Sequence, residues 1–260
     1  MKLALFDLDH TLIPIDSDHA WGEFTTRIGW TDAAEFKRRN DAFYEQYKAG
    51  TLDIAEYIRF TTAAIRRHGP GASAEAQARF MREVIAPAIK PQARALVEAH
   101  RKAGDALVIV TATNEFVTRP IAHSFGIEEL IAVDLARGPG GWITGEIAGV
   151  PSFREGKVTR VAQWLAARGR SFADVDITFY SDSRNDLPLL EKSQNPVATN
   201  PDDTLRAIAT ERLLAGIDRA TRLVEQLLAL ARCPQHQQPG PLSERLDALP
   251  LDALTAAQIG

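Results

Sequence analysis

An α/β fold built on a doubly wound parallel sheet is what this chain predicts, on three observations. Apolar β-type runs at Leu3-Ala4-Leu5-Phe6, Ala106-Leu107-Val108-Ile109-Val110 and Asp176-Ile177-Thr178-Phe179-Tyr180 are separated by long helix-forming stretches. Each run ends on polar residues: Asp7-Leu8-Asp9-His10-Thr11, Thr111-Ala112-Thr113-Asn114 and Ser181-Asp182-Ser183-Arg184-Asn185-Asp186. Open α/β sheets place their ligands at such strand ends. Finally, residues 15–88 interrupt the strand–helix alternation with helix formers and aromatics, a helical insertion after the first strand.

Taken in order, residues 1–14 are the first strand and its loop. The insertion carries Trp21, Phe24, Trp30, Phe36, Phe43, Tyr44, Tyr47, Tyr57 and Phe60, and Asp16-Ser17-Asp18 supplies favoured N-caps for its first helix. Gly69-Pro70-Gly71-Ala72-Ser73 predicts a break, with another helix from about Ala74 to Val84. From Pro91 the pattern reads helix, strand 106–110, helix 114–124 and a short strand near Ala132-Val133. Arg137-Gly138-Pro139-Gly140-Gly141 predicts a hairpin turn joining Ile131–Leu135 to Trp142–Ile147. A helix follows over Gly156–Ala167, then the strand 176–180 and a short strand at Val197-Ala198-Thr199.

Arg206–Arg232 is one long helical pattern. Leu213, Ile217, Ala220, Val224, Leu227 and Ala231 alternate spacings of four and three, an a/d seam that could join two chains as a homodimer or pack on its own core. Pro234–Pro241 breaks it, and 242–260 reads as loosely ordered.

The hydrophobic content of 45% and charged content of 25% fit a globular protein large enough for one core plus an accessory domain. A formal net charge of -4 gives no footprint for nucleic acid or an anionic membrane. No apolar run is long enough to span a bilayer, the chain opens on a core strand, and Cys233 is its one cysteine, so the expected compartment is the cytoplasm.

The chemistry starts at Asp7 and Asp9. Side chains at i and i+2 on extended backbone face the same way, so both carboxylates can share one cavity, with Thr11 just beyond. Two like charges that close need a cation or a shared proton. Thr111 adds a hydroxyl, Lys157 an ammonium, and Asp182 and Asp186 a second carboxylate pair. A nucleophile, an acid/base, hydroxyl donors, a cation and metal ligands are the set that phosphoryl transfer requires.

In order and spacing this set resembles the haloacid dehalogenase superfamily, in its phosphoserine-phosphatase-like branch, from Met1 to about Ala209. Asp7-Leu8-Asp9-His10-Thr11 is similar to its first motif, Thr111 to its second, Lys157 to its third and Asp182-Ser183-Arg184-Asn185-Asp186 to its fourth. Ser181 departs from it, standing where the branch often has Gly. The resemblance implies a Rossmann-like core over 1–14 and 89–209, a helical cap over 15–88, and an atypical segment over 210–260.

What the resemblance implies chemically is an aspartyl-phosphate route. Asp7 would be the nucleophile, and Asp9 the acid toward the leaving group, then the base toward water. Thr111 would hold phosphoryl oxygens and Lys157 would offset their charge. Mg2+ would be held by Asp7, the Asp9 carbonyl and Asp182, with Asp186 completing the shell directly or through water. Asp9 separates the phosphatases from branches that lack a carboxylate there, while His10 reads as a passive variant. The substrate side would comprise Thr11, Ala112, Asn185, Asp16 and Arg59. Asp16 falls nine residues after Asp7, where phosphoserine phosphatases place an acid that binds the substrate amine, whereas Arg59 does not share the offset of their cap arginine. The expected partner is therefore a small phosphorylated metabolite such as phosphoserine or histidinol phosphate. The alternatives are a phosphotransferase to an acceptor other than water, and a binding module that keeps the fold without catalysis.

Overall fold

Alternation along the apolar runs builds the sheet, because neighbouring side chains leave a strand on opposite faces. The computed structural model describes residues 1–231. In chain order, β1 (Lys2–Phe6) is followed by α1 (Ser17–Arg27), α2 (Ala33–Ala49), α3 (Ile54–Thr61) and α4 (Ala63–Phe80). A π-helical turn (Met81–Ile85), α5 (Ala86–Ala88) and α6 (Pro91–Lys102) lead to β2 (Ala106–Asn114), α7 (Glu115–Ser124), β3 (Glu129–Val133), β4 (Leu135–Arg137) and β5 (Ile143–Ile147). The chain continues through α8 (Glu155–Ala166), β6 (Asp176–Ser181), α9 (Leu187–Leu190), β7 (Asn195–Ala198) and α10 (Asp203–Ala231). Met1–Leu205 forms one compact unit, and Arg206–Ala231 belongs to a second.

Five strands make a parallel sheet in the order β3-β2-β1-β6-β7. Leu3 and Leu5 point to one face and bury themselves with Val161 and Leu165 of α8 and Leu189 of α9. Ala4 and Phe6 point to the other, against Val97 of α6 and Val117 and Ile121 of α7. Helices therefore cover both faces, the doubly wound arrangement. Each fully buried Leu or Phe contributes roughly 1.5–3 kcal/mol. Phe6 pairs with Ile109 on one side and Tyr180 on the other, so the carboxyl ends of β1, β2 and β6 finish side by side.

Beyond the loop 7–16, residues up to α6 are helical apart from short connections. Asp16, Asp32 and Asp53 cap α1, α2 and α3, each accepting a backbone N–H from the first turn. The predicted break is narrower than expected. Only Gly69 leaves helical geometry (φ 75°, ψ 178°), and the helix resumes at Pro70, where proline suits a first turn. Beyond Phe80 the helix loosens into the π-helical turn rather than ending at Val84.

The hairpin also differs. Its turn lies at 138–141 as predicted, with Gly138 and Trp142 joined by a backbone hydrogen bond, but its first arm is β4 and not Ile131–Leu135. β3 is already paired with β2 through Val133, so the antiparallel pairing starts only after Asp134, whose carboxylate takes Arg160 Nη2 at 2.6 Å.

The long C-terminal helix is present as α10, with Leu213 exposed. The remaining seam side chains, Ile217, Ala220, Val224, Leu227 and Ala231, the breaker Pro234–Pro241 and the segment 242–260 lie outside the described residues. Among the described residues no helix is long and apolar enough to cross a membrane.

Candidate active site

The aligned strand ends gather the four motifs. Asp7 leaves the end of β1 with its N–H on the Tyr180 carbonyl at 2.9 Å, which seats its side chain between β2 and β6. Lys157, in the first turn of α8, donates to Asp7 Oδ1 and to Asp186 Oδ2, both at 2.7 Å. The Lys157, Asp7 and Asp186 side chains are only 3%, 10% and 4% exposed. Burial works against the Lys157 ammonium, but Asp186 and Asp7 outweigh it and hold its pKa above the ordinary value. Gly156 makes this placement possible: a Cβ there would lie 2.0 Å from the Pro151 carbonyl oxygen.

Burial pushes Asp7 up to about 6, with Lys157 pulling it down and Asp186 pushing it up. Asp9 is pushed to about 7, by burial first and then by Asp16 and Asp7. Two donors hold its carboxylate: Oδ1 accepts the Ser17 N–H at 2.8 Å and Oδ2 the Thr113 hydroxyl at 2.9 Å. A threonine hydroxyl can donate to a carboxylate or accept from a carboxylic acid, so Thr113 suits Asp9 in either protonation state. Thr111, 1% exposed, accepts the Thr113 N–H at 3.1 Å, with Ala112 between them. Thr11 donates to Asp182 Oδ1 at 3.3 Å. Asp182 is pushed to about 8, by burial and then by the charge of Asp7.

The expected metal set counts the Asp9 carbonyl and three carboxylates, one of which, Asp186, is already engaged by Lys157. Among the described residues, no group of three or more His, Cys, Asp or Glu side chains is placed to hold a metal ion. Asp9 spends its carboxylate on Ser17 and Thr113, and Asp186 Oδ2 already takes Lys157 and, at 2.8 Å, Ser181 Oγ. Asp186 is thus first an anchor for Lys157, with at most Oδ1 left over. What remains is Asp7 and Asp182, two carboxylates whose mutual repulsion raises Asp182, beside the Asp9 main chain. Hard oxygen donors few in number suit Mg2+, which keeps several of its waters. The donor chemistry fits the ion through Asp7, Asp182 and the Asp9 carbonyl.

The substrate-side expectations divide. Asn185 lies at the rim, where its Oδ1 accepts Arg154 Nε at 3.2 Å. Asp16 is exposed and caps α1 through the His19 N–H at 2.8 Å, yet its charge still raises Asp9 and Asp18. Arg59 meets Glu146 of β5 at 3.1 Å on the exposed face of α3, so in this structure its guanidinium is engaged on a solvated helix face. The α3 phenol that lies beside a buried carboxylate is that of Tyr57, next to Asp18.

Several residues of the site were given no catalytic role by the sequence reading. Thr113 and Ser181 carry hydrogen bonds to Asp9 and Asp186, and Asp18 and Asn114 form a buried pair at 3.0 Å. The hydroxyl cluster after β2 and the departure at Ser181 were visible signals for the first two, and Asp18 was visible beside Asp16; nothing in spacing marks Asn114.

A family model described as haloacid dehalogenase-like hydrolase matches residues 4–191. A histidinol-phosphatase of Neisseria meningitidis is 46% identical over 212 residues, 81% of this chain and 96% of that protein. A phosphoserine phosphatase of Mycobacterium tuberculosis is 29% identical over 216 residues, 80% of this chain and 68% of that protein. A Bordetella pertussis protein described as of unknown function has a crystal structure that superposes with a TM-score of 0.76 at 49% identity, covering 81% of this chain and 95% of that one. Since the family match takes in all four motifs, and a relative nearly half identical is covered almost end to end, this chain belongs to the haloacid dehalogenase-like hydrolase family.

Proposed function

We propose that the protein is a magnesium-dependent phosphomonoesterase that works through an aspartyl phosphate on Asp7, with histidinol phosphate as its substrate. The observation that carries this reading is the division of labour between two neighbouring carboxylates. Asp7 is gripped by Lys157, while Asp9 sits near pH 7 with a hydroxyl able to follow its proton. Carboxylates whose environments differ in this way make a nucleophile and an acid/base.

In the first half-reaction Asp7 attacks phosphorus, the bond to the ester oxygen breaks, and Asp9 gives that oxygen its proton. In the second, Asp9 takes a proton from water, the hydroxide attacks phosphorus, and Asp7 is released with inorganic phosphate. Splitting the transfer lets one residue serve as acid and then as base. Lys157 and the Thr111 hydroxyl face the charge on the phosphoryl oxygens. Bound Mg2+ would screen the repulsion between Asp7 and an anionic phosphate.

Two features favour a leaving group with a cationic nitrogen. Asp16 adds negative charge next to Asp9, and the relative sharing 46% identity is named a histidinol-phosphatase. Phosphoserine is the second reading, favoured by the relative at 29%. One cysteine in 260 residues fits a reducing compartment such as the cytoplasm.

The test is phosphate release from histidinol phosphate, phosphoserine and p-nitrophenyl phosphate, with Mg2+ and with chelator, beside the Asp7→Asn variant. Histidinol phosphate is expected to turn over fastest, and all release to stop with chelator or in the variant. Wild-type rates in Asp7→Asn would overturn the mechanism; a clear preference for phosphoserine would overturn the substrate.

A further inference from the structure

Arg154 occupies a backbone conformation that arginine rarely adopts, φ 52° and ψ -123°, three residues before Lys157. Such strain persists where surrounding contacts over-determine it. Here the contacts come from two distant segments. Arg154 Nη1 donates to the Gly50 carbonyl at 3.0 Å, at the end of α2, and Nε donates to Asn185 Oδ1 at 3.2 Å. Gly50 is shaped for this: it has φ 77°, and a Cβ there would stand 2.9 Å from Arg154 Nη2.

The guanidinium also orients the Asn185 amide. Arginine carries only donors, so the Asn185 atom facing it is the carbonyl oxygen, and the amide nitrogen is left to donate elsewhere. The Tyr47 phenol, one turn before Gly50, is flanked by Asn185 and by Ser183 Oγ at 2.9 Å. The Ser183 N–H reaches Ser181 Oγ at 3.1 Å, and Ser181 Oγ donates to Asp186 Oδ2 at 2.8 Å. Asp186 then shares Lys157 with Asp7. A continuous path of side chains and one peptide N–H runs from the end of α2 to the nucleophile.

We propose that Arg154 is a positioning residue that acts on Asp7 through this path. It ties the end of α2 to the Asp182–Asp186 loop, so that Ser181 and Asp186 hold Lys157, and Lys157 holds Asp7, in the attacking geometry. The proposal rests on the phosphatase reading above. Ser181 is then the link that turns the placement of a helix into the placement of a nucleophile.

The experiment measures kcat and KM for p-nitrophenyl phosphate with Mg2+, and thermal melting, for wild type, Arg154→Gly, Arg154→Lys, Tyr47→Phe and the Arg154→Gly/Tyr47→Phe double variant. Glycine relieves the strained φ, so Arg154→Gly should melt close to wild type while losing about tenfold in kcat and little in KM. Arg154→Lys keeps the charge without the fork and should not restore the rate. Tyr47→Phe should lose severalfold, and the double variant should be no slower than Arg154→Gly alone, as expected for two links of one path. A wild-type kcat in Arg154→Gly, or a double loss equal to the product of the single losses, overturns the proposal alone. A wild-type protein that releases no phosphate removes the phosphatase reading, and this proposal with it.

Discussion

Lys157 and Arg59 each tie a helix to a distant strand or loop with a carboxylate, and they do so in opposite surroundings. Lys157 is 3% exposed and serves two carboxylates at 2.7 Å; Arg59 is 45% exposed and meets one, 57% exposed, at 3.1 Å. Water competes at the second contact and is excluded from the first. An exposed pair gains little because solvent screens it, whereas buried charges depend wholly on each other. The difference shows where the molecule has taken charge out of water, at the strand ends of the sheet and not on the outer face of the helical stretch.

The contrast is broken most directly at Lys157. Lys157→Met leaves Asp7 and Asp186 buried without their cation, an expected loss of about 3–5 kcal/mol in a denaturation experiment. Turnover should fall by about 10²–10³ as a charge stabiliser is lost. A Lys157→Met protein as stable as wild type would mean that the site holds water the contacts do not show. Asp9→Asn comes next, with about 10²–10⁴ lost from kcat. The sign of its pH effect comes from burial: Asp9 holds a proton until about pH 7, so kcat/KM should decline above that point as the acid ionises. That decline should vanish in Asp9→Asn, and an unaltered alkaline limb would assign it to another group. Arg59→Ala is the smallest change, within about 1 kcal/mol of wild type in a melt. Its KM for histidinol phosphate and for phosphoserine should stay put; a tenfold rise would return Arg59 to the substrate.

The strands, their order of use and the four motifs were legible because period-two burial and strand-end polarity are local properties. Leu3, Leu5, Ala4 and Phe6 face where alternation puts them, and Asp7 comes directly after Phe6. What local pattern does not encode is the partner of a side chain once its backbone is placed. The turn of the Asp9 carboxylate toward Thr113 depends on a residue 104 positions away, and that of Arg59 toward Glu146 on one 87 away. The first arm of the hairpin departs from the pattern for the same reason. Ile131 and Val133 are as β-prone as Leu135, and only the pairing of β3 with β2 decides which of them is free.

His10 lies between Asp9 and Thr11 with φ 56°, its carbonyl accepting Asn200 Nδ2 at 3.3 Å. Left-handed backbone admits Gly, Asn, Asp and His far more readily than branched or bulky side chains. A position that chemistry leaves blank is thus narrowed by shape. In a saturation library at codon 10, survivors under selection for activity should be few and drawn from that short alphabet, while Val, Ile and Thr should disappear. Anyone redesigning this loop inherits that restriction before choosing a substrate.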